Sequence, residues 1–253
     1  MVENDTADRA LQRGGGAGRS MKILASLTAV AALVVMAALS PDLEKSYTVH
    51  MIFHMILIGV FAPSLLAADL FLWWLPPGTL SRLAPYRVLH RVFYAISRPT
   101  VAFIFSTAVL WFWHIPIPYD ATLVNVPVHI LEHISLFIAF LAYWAPLIPG
   151  AGLNLPTIKT NEGKVLYLLA GAMQGMILGA LITFQGQIIY HYPSTAHLPG
   201  ITLLADQQMG GATMWFFGAL IYTTAAILSL RSSGQEIRKD GSSARGVVIR
   251  PEE

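Results

Sequence analysis

The composition of this 253-residue chain is that of a membrane-embedded protein. Hydrophobic residues make up 55% of it and charged residues only 12%, which excludes an ordinary soluble domain, and a net charge of +2 is too small to indicate nucleic-acid binding. The chain has no cysteine, which excludes disulfides, thiolate metal sites and a cysteine nucleophile. A metal site would therefore have to use histidine or methionine.

The chain begins with a polar, glycine-rich segment, residues 1–20, which cannot bury a core and is predicted to be a disordered cytoplasmic arm. The uncharged stretch 23–39 that follows is long enough for a short membrane span. A basic arm before an apolar stretch is also typical of a cleaved signal peptide. We favour a retained helix, and cleavage would leave the orientation of the later helices unchanged.

Five further apolar runs predict an all-α fold, a polytopic transmembrane helix bundle of about six spans. The runs cover about 47–68, 99–116, 124–148, 164–185 and 208–230. With the amino terminus inside, fifteen of the sixteen lysine and arginine residues fall on inner segments, and Lys45 alone falls outside. The positive-inside rule therefore predicts that both termini are cytoplasmic. The transmembrane domain is predicted at 21–231 and a flexible cytoplasmic tail at 232–253.

The inner loop between the second and third spans contains a predicted amphipathic segment at about 80–98. Arg87, Arg91 and Arg98 share one helical side, and apolar residues occupy the other. This pattern is typical of a helix that lies on the inner leaflet of the bilayer.

The fifth span carries a GxxxGxxxG ladder made of Gly171, Gly175 and Gly179. Small residues at this spacing let two helices approach closely. The ladder predicts tight helix packing, and it would also suit a homo-oligomer formed through this face.

Seven of the eight histidines fall on the outer side of this topology. His50 and His54 lie four residues apart in the second span, and His129 and His133 repeat the spacing in the fourth. His114 lies at the outer end of the third span. Residues four apart share a helical face, and ionisable groups within a membrane are costly and usually functional.

The two histidine pairs are predicted to lie at similar depth, so they would converge on one ion if their helices face each other. Neutral imidazoles suit copper, zinc, iron and nickel. Hydrogen bonding between helices explains any single histidine more simply, but two matched pairs favour a metal or cofactor site. The predicted ligands are His50, His54, His114, His129 and His133.

Three acidic residues are predicted to support this site. Glu132 lies between the two histidines of the fourth span, and Asp120 and Asp206 lie at outer helix ends. Capping of its own helix would by itself explain Asp206. A role in orienting a histidine ligand stays open.

His129, Glu132 and His133 also match the H-x-x-E-H pattern of zinc peptidases, in which two histidines bind zinc and the glutamate activates water. So short a motif arises easily by chance. It also leaves His50, His54 and His114 unexplained. An intramembrane zinc protease is therefore a minor alternative.

Four motifs, in this order, resemble those of the CtaG-type cytochrome c oxidase assembly factors. They are His50-x-x-x-His54 followed by Ala62-Pro63, Trp113-His114-x-Pro116, His129-x-x-x-His133 followed by Ala145-Pro146, and Asp206-Gln207-Gln208-Met209-Gly210-Gly211 before Met214-Trp215. The resemblance extends over about residues 45–230. Members of such families often carry seven spans, whereas six are counted here.

The resemblance implies a bacterial inner-membrane protein needed to build an active haem-copper oxidase and to supply its copper centre. By this resemblance, the functional residues of the family correspond to the five histidines named above and to Asp206. The implied protein partners are oxidase subunits or another copper chaperone. The protein is expected to lie in the lipid bilayer and not to bind nucleic acid.

The leading hypothesis is a copper-binding assembly factor or metallochaperone, and not an enzyme, with its histidine cluster toward the periplasm. A haem-binding electron carrier, with facing histidines as axial ligands, is the main alternative. A transporter of copper or protons is a third.

Overall fold

The structure, a computed structural model, describes residues 2–40, 43, 45–68, 84–148, 155–192 and 200–245. Within these ranges the chain forms nine α-helices and no strand, which confirms the all-α prediction. The helices are α1 (Val2–Leu39), α2 (Tyr47–Ile56), α3 (Ala62–Ala67), α4 (Ala84–Ile96), α5 (Pro99–Trp113), α6 (Pro116–Val124), α7 (Val126–Trp144), α8 (Asn161–Thr183) and α9 (Leu203–Arg245).

Five stretches of these helices are long and apolar enough to cross a membrane. They are Arg19–Leu39, Tyr47–Ala67, Val126–Trp144, Asn161–Thr183 and Leu203–Leu230. A sixth span results if α4 and α5, which meet at an angle of 85°, are counted as one broken span. The prediction of about six spans therefore agrees with five or six candidates.

The break between α4 and α5 has a local cause. Pro99 opens α5, and Arg98 before it adopts an extended backbone (φ −62°, ψ 132°), as residues before proline prefer. The helix cannot continue through that conformation. The bend places α4 nearly perpendicular to α5, which is the orientation expected of an amphipathic helix at a membrane surface. Residues 80–83 of the predicted amphipathic segment lie outside the described residues.

The second span is continuous but changes its hydrogen-bond pattern midway. A π-helical turn, Leu57–Phe61, connects α2 to α3. Hydrogen bonds in such a turn reach five residues back, and Pro63 has no N–H to donate to the Ile58 carbonyl. The indole Nε1 of Trp144, at the end of α7, donates to that oxygen at 2.7 Å. The bond fastens α7 to the middle of the second span.

The helix termini nearest to the histidines lie at the same end of the bundle. There α2, α7 and α9 begin, while α5 and α8 end. Side-chain hydrogen bonds link α9 to α2 and link the α8–α9 loop to α6 at this end. We call it the histidine end.

Two glycines of the predicted ladder serve packing within the chain. A Cβ built on Gly179 would lie 2.8 Å from the Gly211 carbonyl oxygen of α9, and one on Gly171 would collide with the Tyr143 ring of α7. A Cβ on Gly175 would meet nothing within 4 Å. Close packing is confirmed at two of the three positions. A homo-oligomer stays a prediction, with Gly175 open to another copy.

The terminal boundaries and the orientation stay predictions. Helix α1 begins at Val2, inside the predicted arm, and α9 continues to Arg245, inside the predicted tail. The tail residues 246–253 and His197 lie outside the described residues.

Candidate metal centre

The two histidine pairs meet because their helices begin at the same level. His50 and His54 are the fourth and eighth residues of α2, and His129 and His133 are the fourth and eighth residues of α7. The two pairs also match in the same order along both helices. The ring centroids of His50 and His129 are therefore 5.0 Å apart, and those of His54 and His133 are also 5.0 Å apart.

Four side chains form the centre of the site: His50, His129, Glu132 and His133. Each offers one ligand atom, and these atoms all lie within 4.8 Å of one another. Glu132 is a helical neighbour of His129, since residues three apart share a face of a helix, and its carboxylate lies with the imidazoles of His129 and His133 in the structure. The sequence predicts a supporting role for Glu132, but the structure places its carboxylate among the imidazoles.

The Glu132 carboxylate is buried without the partners that a buried charge requires. Its side chain is 0% exposed, and neither oxygen has a hydrogen bond within the described part of the chain. The nearest imidazole nitrogens are His50 Nε2 at 3.4 Å and His54 Nε2 at 3.7 Å. A buried carboxylate is stable when a cation or a hydrogen-bond donor neutralises it. The residues therefore fit a bound cation.

His54 borders this group, and His114 lies beyond it. His54 Nε2 is 3.0 Å from His50 Nε2, and the rings of His54 and His114 have centroids 6.3 Å apart. The Nδ1 of His114 lies 2.7 Å from the Leu110 carbonyl oxygen, which can only accept, so Nδ1 carries the proton. In the neutral ring, Nε2 then has the lone pair, and this nitrogen is buried and has no hydrogen bond among the described residues.

Asp206 supports the site by capping the neighbouring helix α2. Its Oδ1 accepts hydrogen bonds from Ser46 Oγ (2.8 Å) and the Thr48 N–H (3.2 Å), and its Oδ2 accepts one from the Tyr47 N–H (2.7 Å). Although Asp206 lies in the first turn of α9, its carboxylate satisfies the first turn of α2. That turn directly precedes His50.

Asp120 lies apart from the buried group. Its two oxygens accept hydrogen bonds from the backbone N–H of His191 (2.9 Å) and from His191 Nδ1 (2.7 Å). His191 belongs to the loop between α8 and α9. The supporting role predicted for Asp120 therefore applies to a surface histidine.

Sequence reasoning missed a group of tyrosines beside the histidines. The Tyr119 hydroxyl lies 3.2 Å from His50 Nδ1 and in short contact with the Tyr192 hydroxyl. Tyr190 donates to the His114 carbonyl at 2.9 Å. Burial raises the pKa of Tyr119 and raises the pKa of Tyr190 to about 12, so both hydroxyls stay protonated. Tyrosines are ordinary near membrane interfaces, so the sequence carries no signal for this group.

The motif residues beside the histidines hold the surrounding elements. Trp113 Nε1 donates to Ser135 Oγ at 2.7 Å, which joins α5 to α7. The Gln207 amide accepts from the Ile189 N–H (2.8 Å) and donates to the Gln187 carbonyl (3.0 Å). It thereby fastens the α8–α9 loop to α9.

The donor set limits which ions fit. Three imidazoles and one carboxylate suit copper, zinc, iron or nickel, whereas magnesium and calcium prefer oxygen ligands throughout. A buried cluster with this composition can bind and hold a transition-metal ion.

A family model agrees with this interpretation. The model described as cytochrome c oxidase caa3 assembly factor (Caa3_CtaG) matches residues 9–233, a range that includes every residue of the site. No curated protein and no solved structure matches the chain. Because the match covers well over half of its length, the chain belongs to the family of cytochrome c oxidase caa3 assembly factors.

Proposed function

We propose that this assembly factor binds copper in the buried cluster and supplies it to a haem-copper oxidase. The observation that carries the proposal is the convergence of His50, His129, Glu132 and His133, whose ligand atoms lie within 4.8 Å of one another. The family's role in oxidase assembly supports the choice of copper, because a haem-copper oxidase needs that metal.

The charge of the cluster favours a cuprous ion. With neutral imidazoles, the group has one negative charge, on Glu132. A cuprous ion makes the group neutral, whereas a cupric or zinc ion leaves it with a charge of about +1. Net charge is costly in a low-dielectric interior. Charge balance therefore supports a cuprous ion.

The direction of supply follows from the charge pattern of the loops. The excess of lysine and arginine on inner segments supports an orientation with the histidine end toward the periplasm of a bacterial inner membrane. In this orientation a second copper chaperone delivers the ion from outside. The assembly factor then acts as a metallochaperone that passes copper to oxidase subunits.

Removal of single ligands tests the proposal. Protein purified with His129→Ala or His133→Ala should lose copper in elemental analysis, while circular dichroism shows an unchanged helix content. His90→Ala, which changes a histidine of α4, serves as the matched control and should keep copper. Wild-type copper content in both ligand variants would place the site elsewhere. Cells that lack the protein should also contain a copper-poor oxidase.

The packing of the imidazoles favours an ion over haem. Neighbouring rings of the four histidines of α2 and α7 have centroids 4.4–5.4 Å apart. A porphyrin needs a broad flat slot between its axial ligands. A Soret band in the purified protein would nevertheless establish haem binding.

Transport and proteolysis have separate tests. A transporter would move copper or protons into proteoliposomes. A zinc protease would lose activity in Glu132→Gln while it retains zinc.

A further inference from the structure

A second histidine–carboxylate arrangement lies at the histidine end, outside the buried cluster. The side chain of His191 is 79% exposed and that of Asp120 is 27% exposed. Asp120 Oδ2 lies 2.7 Å from His191 Nδ1, and Asp120 Oδ1 accepts the backbone N–H of the same residue. Both carboxylate oxygens therefore hold His191, and Nε2 is the ring nitrogen that can bind a metal ion from solution. Metal-binding histidines are commonly oriented by a carboxylate in this way.

A layer of tyrosine side chains separates this surface pair from the buried cluster. Tyr119 precedes Asp120 in α6, Tyr192 follows His191 in the loop, and the two tyrosine hydroxyls are in contact. The Tyr119 hydroxyl also lies 3.2 Å from His50 Nδ1. One layer of tyrosine side chains thus connects the exposed histidine to a ligand of the cluster.

We propose that His191, oriented by Asp120, is the surface ligand that takes up a copper ion before the ion enters the cluster. This inference rests on the proposed function. His50 and Glu132 are fully buried, so an ion that arrives from water or from another protein cannot reach all of its final ligands at once. An exposed imidazole beside a carboxylate offers the first bond in a stepwise ligand exchange, and the carboxylate attracts the cation. No electron transfer is involved.

A purely structural role would be different. In that case the pair only fastens the α8–α9 loop to α6, and the ability of residue 191 to bind a metal is irrelevant. Substitutions that separate metal binding from ion pairing distinguish the two roles. Methionine binds cuprous ions but cannot replace the imidazole N–H toward Asp120. Lysine keeps an ion pair with Asp120 but is protonated and does not bind copper at neutral pH.

The experiment measures copper uptake by the purified full-length protein in detergent. Cuprous ion is presented as its bicinchoninate complex, whose colour disappears as copper is transferred, and the final copper content is determined separately. We expect His191→Ala to slow uptake about tenfold, the scale of losses at oriented metal ligands, with the final copper content unchanged. His191→Met should recover most of the rate, and His191→Lys should remain slow. His90→Ala is the histidine control and should load at the wild-type rate.

Several results would overturn the inference. Wild-type uptake by His191→Ala would show that the surface ligand is not used. Fast uptake by His191→Lys together with slow uptake by His191→Met would assign the pair to loop attachment. Full copper content with equal rates in all variants refutes this inference alone. A wild-type protein that binds no copper refutes the proposed function and the inference together.

Discussion

Asp206→Ala should destabilise the protein and empty the copper site, although Asp206 is not itself a proposed ligand. Its carboxylate accepts three hydrogen bonds at the start of α2, from Ser46, Tyr47 and Thr48. The side chain is only 3% exposed, so water cannot readily replace it. Without the carboxylate, the Tyr47 and Thr48 N–H groups and the Ser46 hydroxyl lose their acceptor. The Ser46 hydroxyl still accepts the Val49 N–H, but the first turn of α2 is no longer tied to α9, and His50, which directly follows it, loses its fixed position.

The size of the effect follows from the donors that are left without partners. The Tyr47 and Thr48 N–H groups are buried, and an unsatisfied buried donor costs about 1–3 kcal/mol. Two of them lower the free energy of unfolding by about 2–6 kcal/mol. Asp206→Asn keeps one oxygen and therefore two of the three bonds, but it directs an amide N–H₂ at the Tyr47 N–H. Asp206→Asn should therefore lower the free energy of unfolding by about 1–3 kcal/mol, the cost of one unsatisfied buried donor.

The assay is SDS-titrated unfolding in mixed micelles, followed by circular dichroism, with copper content measured on the same preparations. Glu162→Ala is the control, because Glu162 is an acidic residue in the first turn of α8 but is exposed. Its free energy of unfolding should change by no more than about 0.5 kcal/mol. If Asp206→Ala matched Glu162→Ala in both stability and copper content, the capping argument would be refuted.

Two further predictions concern packing and pH. Gly179→Ala should lower the free energy of unfolding by about 1–3 kcal/mol, because its Cβ would meet backbone atoms of α9 at 2.8–2.9 Å, whereas Gly175→Ala on the same helix should not. Equal losses in SDS titrations of the two variants would contradict this. Burial raises the pKa of Tyr190 from 10.0 to about 12, so the folded protein keeps a proton that the unfolded chain releases between these values. The contribution of Tyr190 to the free energy of unfolding should therefore be complete below pH 10 and be lost as the pH rises toward 12. The free energy of unfolding should fall less steeply with pH in Tyr190→Phe, and an unchanged pH dependence would show that Tyr190 does not contribute.

Local pattern was sufficient to predict the spans and the histidine pairs. Hydropathy predicts a span because the bilayer demands about 20 apolar residues from a helix, whatever its neighbours are. The i, i+4 spacing places His50 beside His54, and His129 beside His133, on any helix. The i, i+3 spacing likewise places Glu132 beside His129. These properties depend on residues close together in the chain.

Contacts between distant segments could not be predicted in this way. Asp206 caps a helix about 160 positions earlier in the chain, and its own helix offered a sufficient explanation for it. Tyr119 and Tyr192 contact each other only because α6 and the α8–α9 loop return to the same end of the bundle. The indole N–H of Trp144 likewise reaches the Ile58 carbonyl only because distant segments pack together.

Hydropathy and residue spacing were enough to predict an all-α membrane protein with two costly histidine pairs at matching depth. The packed bundle was needed to show that α2 and α7 turn those pairs toward each other, that the Glu132 carboxylate lies among the imidazoles, and that Asp120 binds His191. The reason is physical. Hydrophobic length and helical spacing are set along the chain, whereas the rotation of each helix about its axis is set by side chains packing across the bundle.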